Sequence, residues 1–305
     1  MKIAYFDCFS GASGDMLLGA LLDAGADREQ LEADLQLLGL DGWAIAVRPA
    51  GQHGITGTKL DVLDERDDRP ARNLSLIRGI IGESGLPEGV REASLQVFTR
   101  LAEAEAGVHG TTLDEVHFHE VGAIDSLVDT VGFCSIIERL GIEAIYASPL
   151  PVGRGHTHTE HGLLPLPVPA TLSLLSSAGV PIEPRDIEAE LVTPTGAALL
   201  STLARFERPA MVPQQVGYGF GTKVLPWPNM VRVWIGEGSS ESTDGRTHSH
   251  LLGEGHDHAH PHEHDGHDHG HTHDHRHAHD HDYPHDHAHG HDHEHAERDP
   301  HHHEE

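Results

Sequence analysis

The sequence predicts a mixed α/β (α+β) globular body followed by a disordered, histidine-rich tail. Three observations carry this. Strand-like runs of Ile, Val and aromatic residues alternate with helical patterns along residues 1–237, the order expected of layered helices and sheets. Gly, Pro and capping residues punctuate those helical patterns. From His248 onward nearly every second residue is histidine, with Asp, Glu and Gly between, and such a run cannot bury a core.

Taken in order, KIAYFD (2–7) reads as a buried first strand. A Gly/Ser loop follows, with Ser13 as N-cap of a helix through Leu22. Residues 27–38 read as a short helix ended by Gly39, and 43–48 and 56–63 as strands. Polar 64–72 reads as a loop, and 73–83 as a helix. Residues 87–105 form a second helix in this reading, with Pro87 at its start and Gly107 past its end. Residues 116–120 are extended, 124–140 helical up to Gly141, and 145–147 a short strand. The Pro/Gly-rich stretch 149–167 is expected to be a long loop. Helices over 169–177 and 196–204 and closing strands over 215–220 and 230–235 complete the body. The domains are therefore a body over 1–237 and a linker and tail over 238–305.

Composition narrows the function. Two cysteines, Cys8 and Cys134, give no disulfide framework and fit a reducing, cytoplasmic location. No secretory signal precedes the first strand, and no apolar run approaches the ~18 residues of a membrane span. The chain carries a formal charge of −29; residues 248–305 hold 15 Asp and Glu against 2 Arg. Acidity in both parts argues against nucleic-acid and anionic-membrane binding and favours cations.

Of 31 histidines, 24 lie after Glu237. His256, His258, His260, His262, His264, His267, His269, His271, His273, His275, His277, His279 and His281 are the densest run of candidate metal ligands. Neutral imidazole suits nickel, copper and zinc, and copper outranks nickel at such ligands, so the tail alone does not select nickel.

The body offers further candidates. In Asp7-Cys-Phe-Ser10-Gly11-Ala-Ser13-Gly14-Asp15, a Gly-rich turn between strand and helix exposes N–H groups at a positive helix end, which suits a phosphate. It lacks the Lys-Ser/Thr ending of a Walker A loop. Asp7 and Asp15 can instead hold a metal or act in catalysis; a tight turn with a capped helix explains the same residues. In the segment from His117 through Asp129, His117 and His119 share a side if the chain is extended. Asp125 and Asp129 share a helix face at i, i+4. With Glu120 as a further candidate catalytic group, this is a mixed N/O donor set of the kind that takes Ni, Zn, Mn or Fe. Alternatively Asp125 complements the helix N-terminus and the histidines lie at the surface. The 149–167 stretch supplies Arg154, for a phosphate or carboxylate, and His156, His158 and His161, the last the strongest ligand candidate. Thr193 and Thr195 stand just before a helix, where hydroxyls cap it or meet a phosphate. GYGFG (217–221) has the wrong spacing for a dinucleotide loop.

Five ordered blocks together resemble one family: YFDCFSGASGDMLLGALLDAG, VHFHEVGAIDSLVDTVG, HGLLPLPVPAT, ELVTPTGAAL and VGYGFG with NMVRV. They look like LarC, the nickel insertion protein of the lactate-racemase cofactor pathway, across residues 1–237. The resemblance implies insertion of Ni²⁺ into pyridinium-3,5-bisthiocarboxylic acid mononucleotide to give the nickel-pincer nucleotide. It implies a CTP-dependent cyclometallation that forms Ni–S and Ni–C bonds, cleaves CTP to CMP and pyrophosphate, and uses Mn²⁺ or Mg²⁺. The mononucleotide and CTP are the expected ligands, and a homo-oligomer the expected assembly. Longer family members continue past the GYGFG region, so this chain resembles a first half whose C-terminal half is encoded in another frame. The rival expectation is a nickel storage or delivery metallochaperone without chemistry.

Overall fold

A computed structural model describes residues 1–65, 72–113, 115–118 and 123–238. The expected linker and tail, from residue 239 on, lie outside these residues, as do His119 and Glu120.

Strand β1 (Lys2–Asp7) buries Ile3, Ala4, Tyr5 and Phe6 in succession, so both its faces are covered and it sits inside a sheet. β6 (Ala144–Ala147) lies parallel on one side and β13 (Met230–Gly238) antiparallel on the other. With β11 (Ala204–Arg205), β12 (Met211–Phe220), β3 (Ile55–Asp64) and β2 (Trp43–Gln52), they form a seven-stranded sheet in the order β11-β6-β1-β13-β12-β3-β2. Consecutive strands make the antiparallel pairs β2–β3 and β12–β13, the antiparallel β1–β13 pair joins the two ends of the body, and helices intervene between the parallel neighbours. This mixed sheet, with helices between its strands, bears out the mixed α/β expectation.

The helices are α1 (Gly14–Asp23), α2 (Arg28–Gln36), α3 (Leu74–Gly82), α4 (Glu88–His109), α5 (Ile124–Arg139), α6 (Pro169–Ser177) and α7 (Pro194–Leu203). Three start on side-chain caps. Asp27 accepts from Gln30 N–H at 3.2 Å, Asn73 from Leu76 N–H at 2.9 Å, and Thr193 from Gly196 N–H at 3.2 Å. Asp34 on α2 is buried and takes hydrogen bonds from Ser135 and Arg139 on α5, which ties those helices together.

Three departures from the sequence reading have physical reasons. The β2–β3 hairpin is longer than expected and turns at His53 and Gly54, at φ 52° and 80°. The strand continues through Pro49 because β2 is a sheet edge, where proline is tolerated. Helix α4 passes Gly107 and ends at Gly110, whose φ of 63° makes the left-handed cap. Ala104 and Ala106 remain buried there, so packing carries the helix one turn further and places Glu105 and His109 on it. The expected loop over 149–167 contains β7 (Leu150–Arg154), β8 (His156–Thr159) and β9 (Gly162–Pro165). β7 pairs with β10 (Ile182–Glu188), and β8 with β9. Their prolines, glycines and exposed side chains hide them from a hydrophobic-pattern reading. β4 (Arg72–Asn73) and β5 (His117–Phe118) form a further short pair.

The GYGFG segment has a packing role. On β12 a Cβ at Gly217 would strike the backbone of Ala20 and Ala24, and one at Gly219 the backbone of Met16 and Ala20. Two glycines two residues apart share one strand face, and α1 lies directly on that face. Ala4 and Phe6 join the main core with α1, α5 and α7, while Ile3 and Tyr5 face the other way with Tyr146 and Trp234. Among the described residues no helix is long and apolar enough to cross a membrane.

Candidate functional site

Three helices begin beside one cleft. After β1 the chain turns through residues 8–13 into α1, and residues 191–193 lead into α7. The two turns are stitched together: Ala12 N–H donates to Leu191 O at 2.9 Å and Thr193 N–H to Ala12 O at 3.0 Å. Helix α5 is held against α1 at Gly14, which packs directly on Asp129. The starts of α1, α5 and α7 thus surround a cleft of about 260 Å³, with β3 forming another wall.

Helix α1 contributes Gly14 and Asp15 to it, α5 Asp125 and Asp129, and α7 Thr195, with Thr193 as its cap. The i, i+4 spacing of Asp125 and Asp129 puts both carboxylates on the cleft side of α5. From β3 come Lys59 and Asp61. Lys59 is 3% exposed, pairs with Asp15, lies 3.2 Å from Asp61, and donates to Leu60 O at 3.1 Å. Asp15 also accepts from the Ser13 hydroxyl.

The electrostatics are unbalanced. Asp15, Asp61, Asp125 and Asp129 line the cleft with one ammonium, that of Lys59, and Asp61 also pairs with Arg48 at 3.3 Å. Three helix N-termini, each worth roughly +0.5 charge, do not make up the difference. Burial, then the charges of Asp15 and Asp125, push the Asp129 carboxyl well above the usual carboxylate range, against the opposing pull of Lys59 and the Asp15 N–H. Its Oδ1 is buried without a hydrogen-bond partner among the described residues. Burial also raises the Asp125 carboxyl, although Ser126 N–H donates to it at 2.8 Å. A buried unsatisfied acceptor costs about 1–3 kcal/mol, more when charged, so this cleft favours a proton or a cation.

Other candidates from the sequence lie elsewhere. Asp7 pairs with Arg232 across the β1–β13 register. Ser10 is buried, its hydroxyl bonded to Asn229 Oδ1 at 3.3 Å and accepting from Trp227 Nε1 at 3.0 Å. The Gly11 N–H is spent on Cys8 O at 2.9 Å, so of the Gly/Ser loop it is Ser13 and Gly14 that reach the cleft. Burial pushes the Cys8 thiol far up, which keeps it protonated. Arg154 is exposed and pairs with Asp186 and Glu188. His156 and His158 are exposed on β8. His161 lies in a separate cavity against His109. His117 is in β5, while His119, Glu120 and the tail histidines lie outside the described residues.

Sequence reasoning missed Lys59 and Asp61. Charged residues two apart within a strand share a face, and that spacing was the signal available.

The family model described as nickel insertion protein matches residues 4–264. The chain is 56% identical over 238 residues to a putative nickel insertion protein of Thermomicrobium roseum, covering 78% of this chain and 58% of that one. It is 50% identical over 243 residues to the pyridinium-3,5-bisthiocarboxylic acid mononucleotide nickel insertion protein of Desulfitobacterium hafniense, covering 79% and 60%. A putative nickel insertion protein of Roseiflexus castenholzii is 47% identical over 251 residues, covering 82% and 63%. The chain thus spans about three fifths of the length of these relatives. No solved structure matches it. With a family match over most of its length and relatives near half identity, the chain belongs to the nickel insertion protein family.

Proposed function

We propose that this chain serves in the insertion of Ni²⁺ into pyridinium-3,5-bisthiocarboxylic acid mononucleotide, with the carboxylate cleft receiving the mononucleotide's phosphate together with a divalent cation. The observation that carries the reading is Asp129: a buried carboxylate, one oxygen without a hydrogen-bond partner among the described residues, beside three helix N-termini. The name of the Desulfitobacterium relative supplies the substrate.

Charge decides how the cleft works. A phosphate alone meets an excess of carboxylates, whereas a cation bound first makes the helix N-termini effective anion sites. The donors lining the cleft are all oxygen, Asp15, Asp125 and Asp129 with Thr195, a chemistry that suits Mg²⁺ or Mn²⁺, and the carboxylates would have to draw closer to share one ion, since among the described residues no three of them are gathered around a single point. The bound cation would neutralise phosphate charge, consistent with a CTP-dependent step. Burial favours a proton on Asp129 while the cleft is empty, and a bound cation would oppose that proton. Lys59 pairs with Asp15 and holds its carboxylate in place. The tail gathers nickel at low free concentration by supplying many weak ligands at high effective concentration.

The test combines full-length chain, precursor, Ni²⁺, CTP and Mn²⁺, with and without the C-terminal segment of a relative. Nickelated product is followed by mass and absorbance. Product that depends on Asp125 and Asp129 supports the reading. Nickel binding without product under every condition, or product indifferent to both residues, returns the chain to the delivery role.

A further inference from the structure

The molecule has a second cavity of about 260 Å³, and its donors are of the other chemical kind. We propose that His109 and His161, with Glu105 behind them, form a docking site for a borderline-soft transition-metal ion, next to the carboxylate cleft and separate from it.

Geometry carries the argument. His109 closes α4, and His161 sits in the turn between β8 and β9. Their ring centres are 4.8 Å apart with planes tilted by 51°. A metal held by two imidazole nitrogens at roughly 2.0–2.1 Å places the ring centres on the order of 5 Å apart. Glu105 lies one turn before His109, its Oε2 3.5 Å from Nε2. A carboxylate beside a ligating imidazole fixes the ring's orientation and raises its basicity. Leu164, Val168 and Pro169 give the cavity an apolar wall, while His109 and His161 themselves are exposed at its mouth.

Donor chemistry separates the two sites. Carboxylates and hydroxyls suit Mg²⁺ and Mn²⁺, while imidazoles suit nickel, copper and zinc. One fold can therefore hold a hard cation with a phosphate and a softer ion apart from it. The sites are neighbours: Pro194 lines the histidine cavity, and Thr193 and Thr195 line the cleft, so both open on the first turn of α7. Among the described residues no three His, Cys, Asp or Glu side chains enclose a single ion. Imidazole-bound ions exchange ligands, so incoming sulfur ligands would take the ion from such a site. That the ion is nickel bound for the mononucleotide rests on the function proposed above; that the site takes a transition metal does not.

The test is diethyl pyrocarbonate modification of the full chain, read histidine by histidine by peptide mass spectrometry, with Ni²⁺ or Mg²⁺ titrated in excess of the tail's capacity. His109 and His161 should lose reactivity together at one Ni²⁺ concentration, and Mg²⁺ should leave both reactive. His156 and His158 serve as exposed controls. Glu105→Ala should raise the half-protecting nickel concentration by about 10–100-fold. Undiminished reactivity of either histidine at saturating nickel, or protection at two different concentrations, overturns the site. Protection without nickelated product under the conditions above keeps the site and removes the function. Product formed while both histidines stay reactive does the reverse.

Discussion

The side chain of Asp129 fills the space that a β-carbon on Gly14 would need, with its Cβ, Cγ and Oδ2 all well inside contact distance of that point. The first turn of α1 and the second turn of α5 are therefore locked together through a residue with no side chain and a carboxylate with no room to move. The Asp15 N–H donates to that carboxylate from the same turn.

Gly14→Ala is expected to displace Asp129 and cost about 1–3 kcal/mol, the range for overpacking a filled site. Chemical denaturation measures the cost, and nickelated product in the reconstituted reaction measures the effect on function. A variant with wild-type stability and product yield would mean that the helices part easily and that the contact positions nothing.

The pH dependence of stability follows from the direction of the Asp129 shift. Its carboxyl is raised in the fold, so the native state binds this proton more tightly than the unfolded chain does. Its contribution is most favourable at low pH and is lost as pH rises from the ordinary aspartate range through the raised value. Asp129→Asn removes that loss. In chelator, unfolding followed from pH 4 to 8 should show the variant gaining stability over the wild type as pH rises. Mg²⁺ should stabilise the wild type by about 2.7 kcal/mol at a hundred times its Kd and the variant by much less. A constant difference between the two proteins across pH would contradict this account of Asp129.

Arg139→Ala should cost about 1–3 kcal/mol, because it strips charged donors from Asp34, a carboxylate only 1% exposed, while the half-exposed guanidinium is itself partly screened by solvent. Ser135 remains as a partner but supplies no charge. The Asp34→Asn, Arg139→Met double variant should recover part of the loss in denaturant titrations. If the single variant loses less than about 1 kcal/mol, the pair is screened as a surface salt bridge is.

The histidine-rich segment is expected to bind several nickel ions per chain at pH 7.5 and to lose most of them below about pH 6.5, because ligating imidazoles must be neutral. Calorimetric titration of the full chain at pH 7.5 and pH 5 measures this. A single bound ion at pH 7.5, or equal uptake at the two values, would remove the gathering role.

Some elements were legible from residues alone because their signals are local. The apolar KIAYF run, the helical patterns from Asp27 and Asn73, and the stop at Gly141 each act within a few residues, and β1, α2, α3 and α5 stand where they predict, whereas Ser13, read as the cap of α1, occupies that position without a side-chain capping bond. The strands β7 to β10 were not legible, since Pro151, Pro165 and Pro184 mask a pairing that depends on distant partners. GYGFG was visible as a motif, but its meaning came from α1 lying on it.

The same division holds for function. By itself the sequence determined the family resemblance, the alternation of helices and strands, the acidity, and the spacing that puts Asp125 and Asp129 on one helix face. Composition and short-range periodicity carry that information. Only the tertiary structure decided that Asp15 meets Asp125 and Asp129, that Lys59 of β3 is their counter-charge, that Asp7 turns instead to Arg232, and that His161 joins His109 rather than the carboxylates. These pairings span tens to hundreds of residues. They follow from strand order and from close backbone packing at Gly14 and Gly219, and no local pattern along the chain encodes which distant side chain will be the neighbour.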